Sequence, residues 1–145
     1  MDFSFNINFI LMVFVHIGVC NSLITKGEFQ YSIKNILNEP KFFLTVTLDV
    51  EYPGNVLHYM EAVCDTYQEF TNFSMTYFPK SMHFNGSYYV SAINGVEEVP
   101  GETYWELIEH TSGKQMQVGA SHYKPRAGDH VAWNLTSLSA YQAQS

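Results

Sequence analysis

The side chains with reactive chemistry in this 145-residue chain are six histidines, two cysteines and a loop of acids, and their spacing decides what they can do. His16, His58, His83, His110, His122 and His130 include no pair four residues apart, the arrangement of a helical zinc site, and no paired-cysteine motif occurs. His110, His122 and His130 fall in neighbouring strands and turns and could converge. Without ligand spacing, surface histidines are the simpler reading, and no metal site is expected. Cys64 would need a base and a cleft to act as a nucleophile, and no Gly-x-Ser-x-Gly elbow is present. Glu97, Glu98 and Glu102 share a loop, whereas carboxylate catalysis needs two acids at a fixed separation with one pKa raised. Ser112-Gly113-Lys114 lacks the glycine-rich run of a phosphate loop and reads as a turn. No catalytic residue is expected, and the chain is read as a non-enzyme.

Non-covalent recognition is what the remaining residues suit. Tyr104 and Trp105 are adjacent, so in a strand they point to opposite faces, one to the core and one outward. Both supply large contact area with few rotatable bonds, which suits binding as well as packing. Gly119-Ala120-Ser121 is a run of small residues that lets a ligand approach the backbone; the alternative is an ordinary loop or bulge.

Strands and one helix must position these residues. Phe43 to Tyr52 places Leu44, Val46, Leu48 and Val50 on one face and Thr45, Thr47, Asp49 and Glu51 on the other, the period of a half-buried strand. Pro53-Gly54 ends it, and Asn55 can cap the helix that follows. Val56, Tyr59, Met60, Val63, Cys64, Tyr67 and Phe70 recur at steps of three and four, predicting an amphipathic helix over Val56 to Phe70. Further strands are expected from Phe73 to Tyr77, Tyr88 to Ile93, Tyr104 to Glu109 and His130 to Leu135. The turns between them are expected at Asn85-Gly86, Asn94-Gly95, Thr111-Ser112-Gly113 and Pro125 to Gly128. Leu23 to Pro40 is weakly patterned and reads as a leader, an edge element or a short helix. Strand, one helix, then several strands predicts an α+β domain with a mixed sheet, the outline of a β-grasp.

The formal charge is -7, from 14 acids and 7 bases, which excludes a phosphate backbone or an anionic membrane as the natural partner. Charged residues make up only 14% and aromatics 16%, the balance of a β-rich secreted domain. The apolar run from Phe9 to Val19 is too short to span a bilayer and is followed by small residues. Residues 1–20 therefore read as a secretory signal peptide cut near Cys20-Asn21 or Ser22-Leu23, although Asp2 stands where a base is usual. An extracellular location follows, with Cys64 left as a lone buried thiol. Asn72-Phe73-Ser74, Asn85-Gly86-Ser87 and Asn134-Leu135-Thr136 are glycosylation sequons, so glycan is expected at Asn72, Asn85 and Asn134. Asn134 is the least suited of the three, because it falls inside a strand. The expected division is residues 1–20 signal, 21–41 leader or edge segment, 42–138 domain and 139–145 flexible tail.

The series Leu44 to Val50, Pro53-Gly54, Thr103-Tyr104-Trp105-Glu106-Leu107, Val118 to Tyr123 and Lys124-Pro125-Arg126-Ala127-Gly128-Asp129 resembles the C-terminal β-domain of the transcobalamin and intrinsic-factor carriers. The resemblance covers about Leu44 to Leu138. It implies a β-grasp lid that contacts cobalamin without doing chemistry, through Tyr104, Trp105, Leu107, Gly119, Ser121 and Tyr123. It implies that Trp105 and Leu107 pack on the corrin and that backbone groups near Gly119 and Ser121 meet its amides. In that case Trp105→Ala would weaken binding and change the thermal transition little. It implies no intrinsic cofactor; cobalamin would be a ligand. The carriers' helical barrel has no counterpart here. The chain would then bind cobalamin alone and weakly, share the site with a separate helical-barrel chain, or keep the fold for another ligand. The alternative is an extracellular protein-interaction module, binding a receptor or other partner through exposed aromatics and a sheet edge.

Overall fold

The computed structural model describes residues 27–50, 54–80 and 86–139. The signal segment, the sequon at Asn85, Pro53 and the last six residues of the tail lie outside the described residues.

Among the described residues, eight strands form two sheets, accompanied by one helix. The larger has the order β2-β1-β8-β6-β7, from Phe42–Asp49, Glu28–Asn35, His130–Ser137, Thr103–Glu109 and Lys114–Gln115. β1 and β2 form an antiparallel hairpin, α1 (Val56–Thr66) follows, and β8 returns parallel to β1. That parallel pair at the centre of an otherwise antiparallel sheet, with the helix packed on one face, is the β-grasp arrangement. The smaller sheet, β3-β4-β5, comprises Phe73–Phe78, Ser87–Ile93 and Val96–Glu97. The result is a single α+β domain.

The weakly patterned segment differs most from its expected role. Glu28–Asn35 is neither a helix nor an edge element but an inner strand between β2 and β8. Phe29, Tyr31 and Ile33 face the helix, while Ser32 and Asn35 are also buried. Phe29, Tyr31, Ile33 and Asn35 share the buried face, and on the other Glu28 and Gln30 stay exposed and only Ser32 is buried, the pattern of a half-buried strand. The sheet therefore includes Glu28–Asn35 as well as the segment from residue 42. β2 keeps its expected alternation and runs from Phe42 to Asp49.

α1 begins as its cap dictates. The Asn55 Oδ1 accepts a hydrogen bond from the His58 N–H at 3.1 Å. Val56, Leu57, Tyr59, Met60 and Val63 are buried on its inner face. The helix ends at Thr66, short of Phe70, because Tyr67 takes extended backbone and Phe70 enters the core from the turn beyond. The Phe29 and Tyr59 rings meet edge to face at 4.7 Å, and the Trp133 Nε1–H donates to the Met60 sulfur at 3.2 Å. Asn94 and Gly95 both take positive φ, 51° and 75°, which closes the tight β4–β5 hairpin.

Among the described residues, no helix is long and apolar enough to cross a membrane, and no three His, Cys, Asp or Glu side chains gather as a metal ion would require.

Candidate functional site

The two sheets leave a cleft of about 540 Å³ between them. One wall is β6, with Tyr104, Trp105, Glu106 and Leu107. The other is β4, with Ser87 to Val90, and Phe78 of β3; the stretch from Gln115 to Ala120 closes one side. The lining is apolar and aromatic with few polar groups, the usual character of a small-molecule site. Glu106 is its one charged side chain, and its carboxylate accepts from the Thr136 hydroxyl at 3.1 Å.

The cleft brings together Tyr104, Trp105, Leu107 and Gly119 of the six expected site residues. Trp105 is only 3% exposed; its Nε1–H donates to the Val96 carbonyl at 3.0 Å and its ring stacks on Phe42. It forms the cleft's back wall and is at the same time core. Leu107 is likewise buried.

Gly119 is required by packing. A Cβ there would sit 2.4 Å from the Ser87 Oγ, so a larger residue would force that hydroxyl to turn away from Ser121. The loop's carbonyls are already used internally, unlike the expected ligand contacts. The Gly119 carbonyl accepts from the N–H groups of His122 and Tyr123, and the Ser121 carbonyl accepts from the Asn55 amide at 3.0 Å. The Tyr123 carbonyl takes the Val56 N–H, so the loop is tied to the start of α1.

Ser121 and Tyr123 lie outside the cleft lining. The Ser121 hydroxyl bonds Ser87 Oγ at 2.9 Å and the His122 Nδ1 at 3.1 Å. The Tyr123 hydroxyl donates to Asp129 at 2.7 Å; burial first, and that bond second, push its pKa up to about 12. Tyr123 lines a separate depression with His122, Lys124 and Arg126. Both residues hold the loop in shape.

The aromatics of the β3–β4 hairpin were not foreseen as site residues. Phe78, Tyr88 and Tyr89 line the cleft and remain substantially exposed, and the Tyr77 and Tyr88 rings meet tilted at 5.1 Å. Burial, then the hydrogen bond to Glu98, raises the pKa of Tyr89. The two strands expected on either side of the Asn85-Gly86 turn carry Tyr77, Tyr88 and Tyr89, and the register pairs Tyr77 with Tyr88. Trp133, buried behind Leu107, also lines the cleft.

The histidines converge only in part. His110 and His130 lie on neighbouring strands with ring centroids 4.2 Å apart, and Phe43 stacks on His110. His122 sits in the loop bonded to Ser121. The His130 Nε2 bonds the Ser32 hydroxyl at 2.8 Å, and burial, then His110, lowers its pKa. Cys64 is a half-buried free thiol whose pKa burial raises. Asn72 is exposed and its Oδ1 accepts from the Gly95 N–H. Asn134, by contrast, is in the inner strand β8, and its amide donates to Thr136.

Residues 55–137 match the family described as a domain of unknown function, DUF4430. The chain belongs to this family. No curated protein matches the sequence. Among solved structures, this DUF4430 protein is similar to haptocorrin in complex with Cbi, with a TM-score of 0.58 and 21% identity over 77% of the chain. That likeness covers 25% of the haptocorrin chain, so the DUF4430 protein matches about a quarter of its length. It establishes a transcobalamin-like fold. A protein of Ruminococcus gnavus ATCC 29149 is more distant, with a TM-score of 0.48 and 7% identity over 77% of this chain and 98% of its own.

Proposed function

We propose that this protein is a secreted, non-catalytic binding domain whose cleft takes one face of a corrinoid, cobalamin or a close relative. The observation that carries the reading is the aromatic cleft of about 540 Å³ between β6, β4 and the Gln115 to Ala120 stretch, on a fold shared with a protein solved with Cbi. A volume in this range suits a small-molecule site. A corrinoid is larger than the cleft, so the domain covers part of it and a second chain would cover the rest. Apolar contact with Tyr88, Tyr89, Val118 and Leu107 would supply the attraction; Gln115 and Gln117 offer amides to the ligand's polar rim. Each buried apolar ligand area contributes about 25 cal/mol per Å² before ordering costs are subtracted. In this reading the aromatic wall and its rim position a ligand. Equilibrium dialysis of the protein from a secreting host against cyanocobalamin tests the reading. Saturable uptake supports it, and none at high micromolar ligand sinks it.

A further inference from the structure

The cleft is bounded by two strand edges that no strand among the described residues covers. β7 pairs only with Ile108 and Glu109 of the seven-residue β6, so Thr103 to Leu107 has no described strand on that side. β5 pairs only with Ala92 and Ile93 of β4, so Ser87 to Val90 has no described strand on the side away from β3. Both open stretches line the same cleft. The open part of β6 is five residues, roughly 16 Å of extended chain.

The hydrogen-bond phase of β6 fixes what that edge presents. The His110 N–H donates to the His130 carbonyl and the Leu138 N–H to the Glu102 carbonyl, so even-numbered residues turn their main chain toward β8. Odd-numbered residues turn theirs the other way, as the Met116 N–H to Leu107 carbonyl bond shows. The N–H and C=O of Trp105, the N–H of Leu107 and the C=O of Thr103 therefore face the open side. Their spacing matches one antiparallel strand: a residue opposite Trp105 exchanges two bonds, and its neighbours two positions away meet Leu107 and Thr103. Natural sheets blunt such an edge with a lysine, a proline or a covering loop, and Thr103 to Leu107 carries neither residue. The charge around it is acidic: Glu106 lines the cleft, Glu98 lines the adjoining depression with Thr103 and Tyr104, Glu102 immediately precedes β6, and Glu97 ends β5.

We infer that this groove receives an extended segment of a partner protein bearing basic side chains, which adds to β6 as a strand while its apolar residues lie against Tyr88, Tyr89 and Val118. This goes beyond corrinoid binding and does not depend on it; the two occupants would compete for one cleft.

The test uses a capped nonapeptide of alternating valine and lysine, added to the isotope-labelled protein, with amide exchange followed residue by residue. The expected result is saturable binding with slowed exchange at the Trp105 and Leu107 amides. N-methylation of one alternating set of peptide residues, either the valines or the lysines, should weaken binding at least about tenfold, the equivalent of one lost main-chain bond. Methylation of the other set should leave it nearly unchanged. Glu97→Lys with Glu102→Lys, both at exposed positions, should weaken binding about threefold. Three results would overturn the proposal: no saturable binding, equal sensitivity to both methylation sets, or Trp105 exchange that slows with protein concentration alone. The last would assign the edge to a second copy of this chain. Cyanocobalamin uptake, measured separately, reports on the corrinoid reading whichever way the peptide behaves.

Discussion

Gly119→Ala is the sharpest test of how the cleft is built. The new Cβ would stand 2.4 Å from the Ser87 Oγ but 3.4 Å from the Ser87 Cβ, so the hydroxyl alone is in the way. To escape, Ser87 must leave its rotamer, at a cost of about 0.5–1.5 kcal/mol. It also loses its 2.9 Å bond to Ser121, worth about 1 kcal/mol. The sum is about 2 kcal/mol, which lowers the Tm of a domain this size by roughly 8 °C. Ser87→Ala removes the obstructing atom, and the remaining contact of 3.4 Å is ordinary. Ser121 keeps its bond to His122, so Ser87→Ala alone costs about 1 kcal/mol or less. The double variant should then be no less stable than Ser87→Ala alone, a coupling of about 2 kcal/mol. Thermal or urea unfolding of the three variants measures it. Simple additivity, or a fully stable Gly119→Ala, would refute the claim that glycine is required by contact with β4.

Trp105→Ala should cost about 3–5 kcal/mol in urea unfolding, because the ring is core as well as cleft wall; this reverses the sequence-based expectation of a small stability change. His130 has a folded pKa lowered below that of an ordinary histidine, about 6.5, so the stability it contributes is present above that pH and lost as pH falls through the folded value. Replacing His130 with Gln should flatten the fall in Tm between about pH 7 and 5, where an unfolded histidine gains its proton; an unchanged slope would clear His130. In a secreting host, Asn72→Gln should remove one glycan by mass, whereas Asn134→Gln should remove none, because Asn134 lies within an inner strand.

The readability of the sequence tracked burial. β2 and α1 each bury one face, so their periods stood out, and the paired Asn-Gly turn at Asn94-Gly95 announced its hairpin. β1 alternates as well, with Phe29, Tyr31 and Ile33 turned inward and Glu28 and Gln30 exposed, so a strand period is present there; its inner place between β2 and β8 is what only the fold supplies. β5 and β7 are two residues each, below what any pattern can mark. For the site, adjacency of Tyr104 and Trp105 correctly implied opposite faces, but which face holds the cleft depends on where the second sheet sits. Gly119 stood out as a small residue, although its reason, the Ser87 hydroxyl, is a contact across 32 positions of sequence that only the fold creates. Ser121 and Tyr123 looked like neighbours of the site and instead hold its loop to Asn55, Val56 and Asp129.

The most direct measurement is calorimetric titration of cyanocobalamin into the wild-type protein and Val118→Glu. Val118 lines the cleft and is 46% exposed, so a carboxylate there leaves the fold intact while placing charge in the aromatic cleft. Saturable binding by the wild type, weakened at least about tenfold in Val118→Glu at unchanged Tm, is the predicted result, equivalent to about 1.4 kcal/mol. No saturable heat from the wild type, or equal affinity in the two proteins, would contradict the assignment of this cleft as the ligand site.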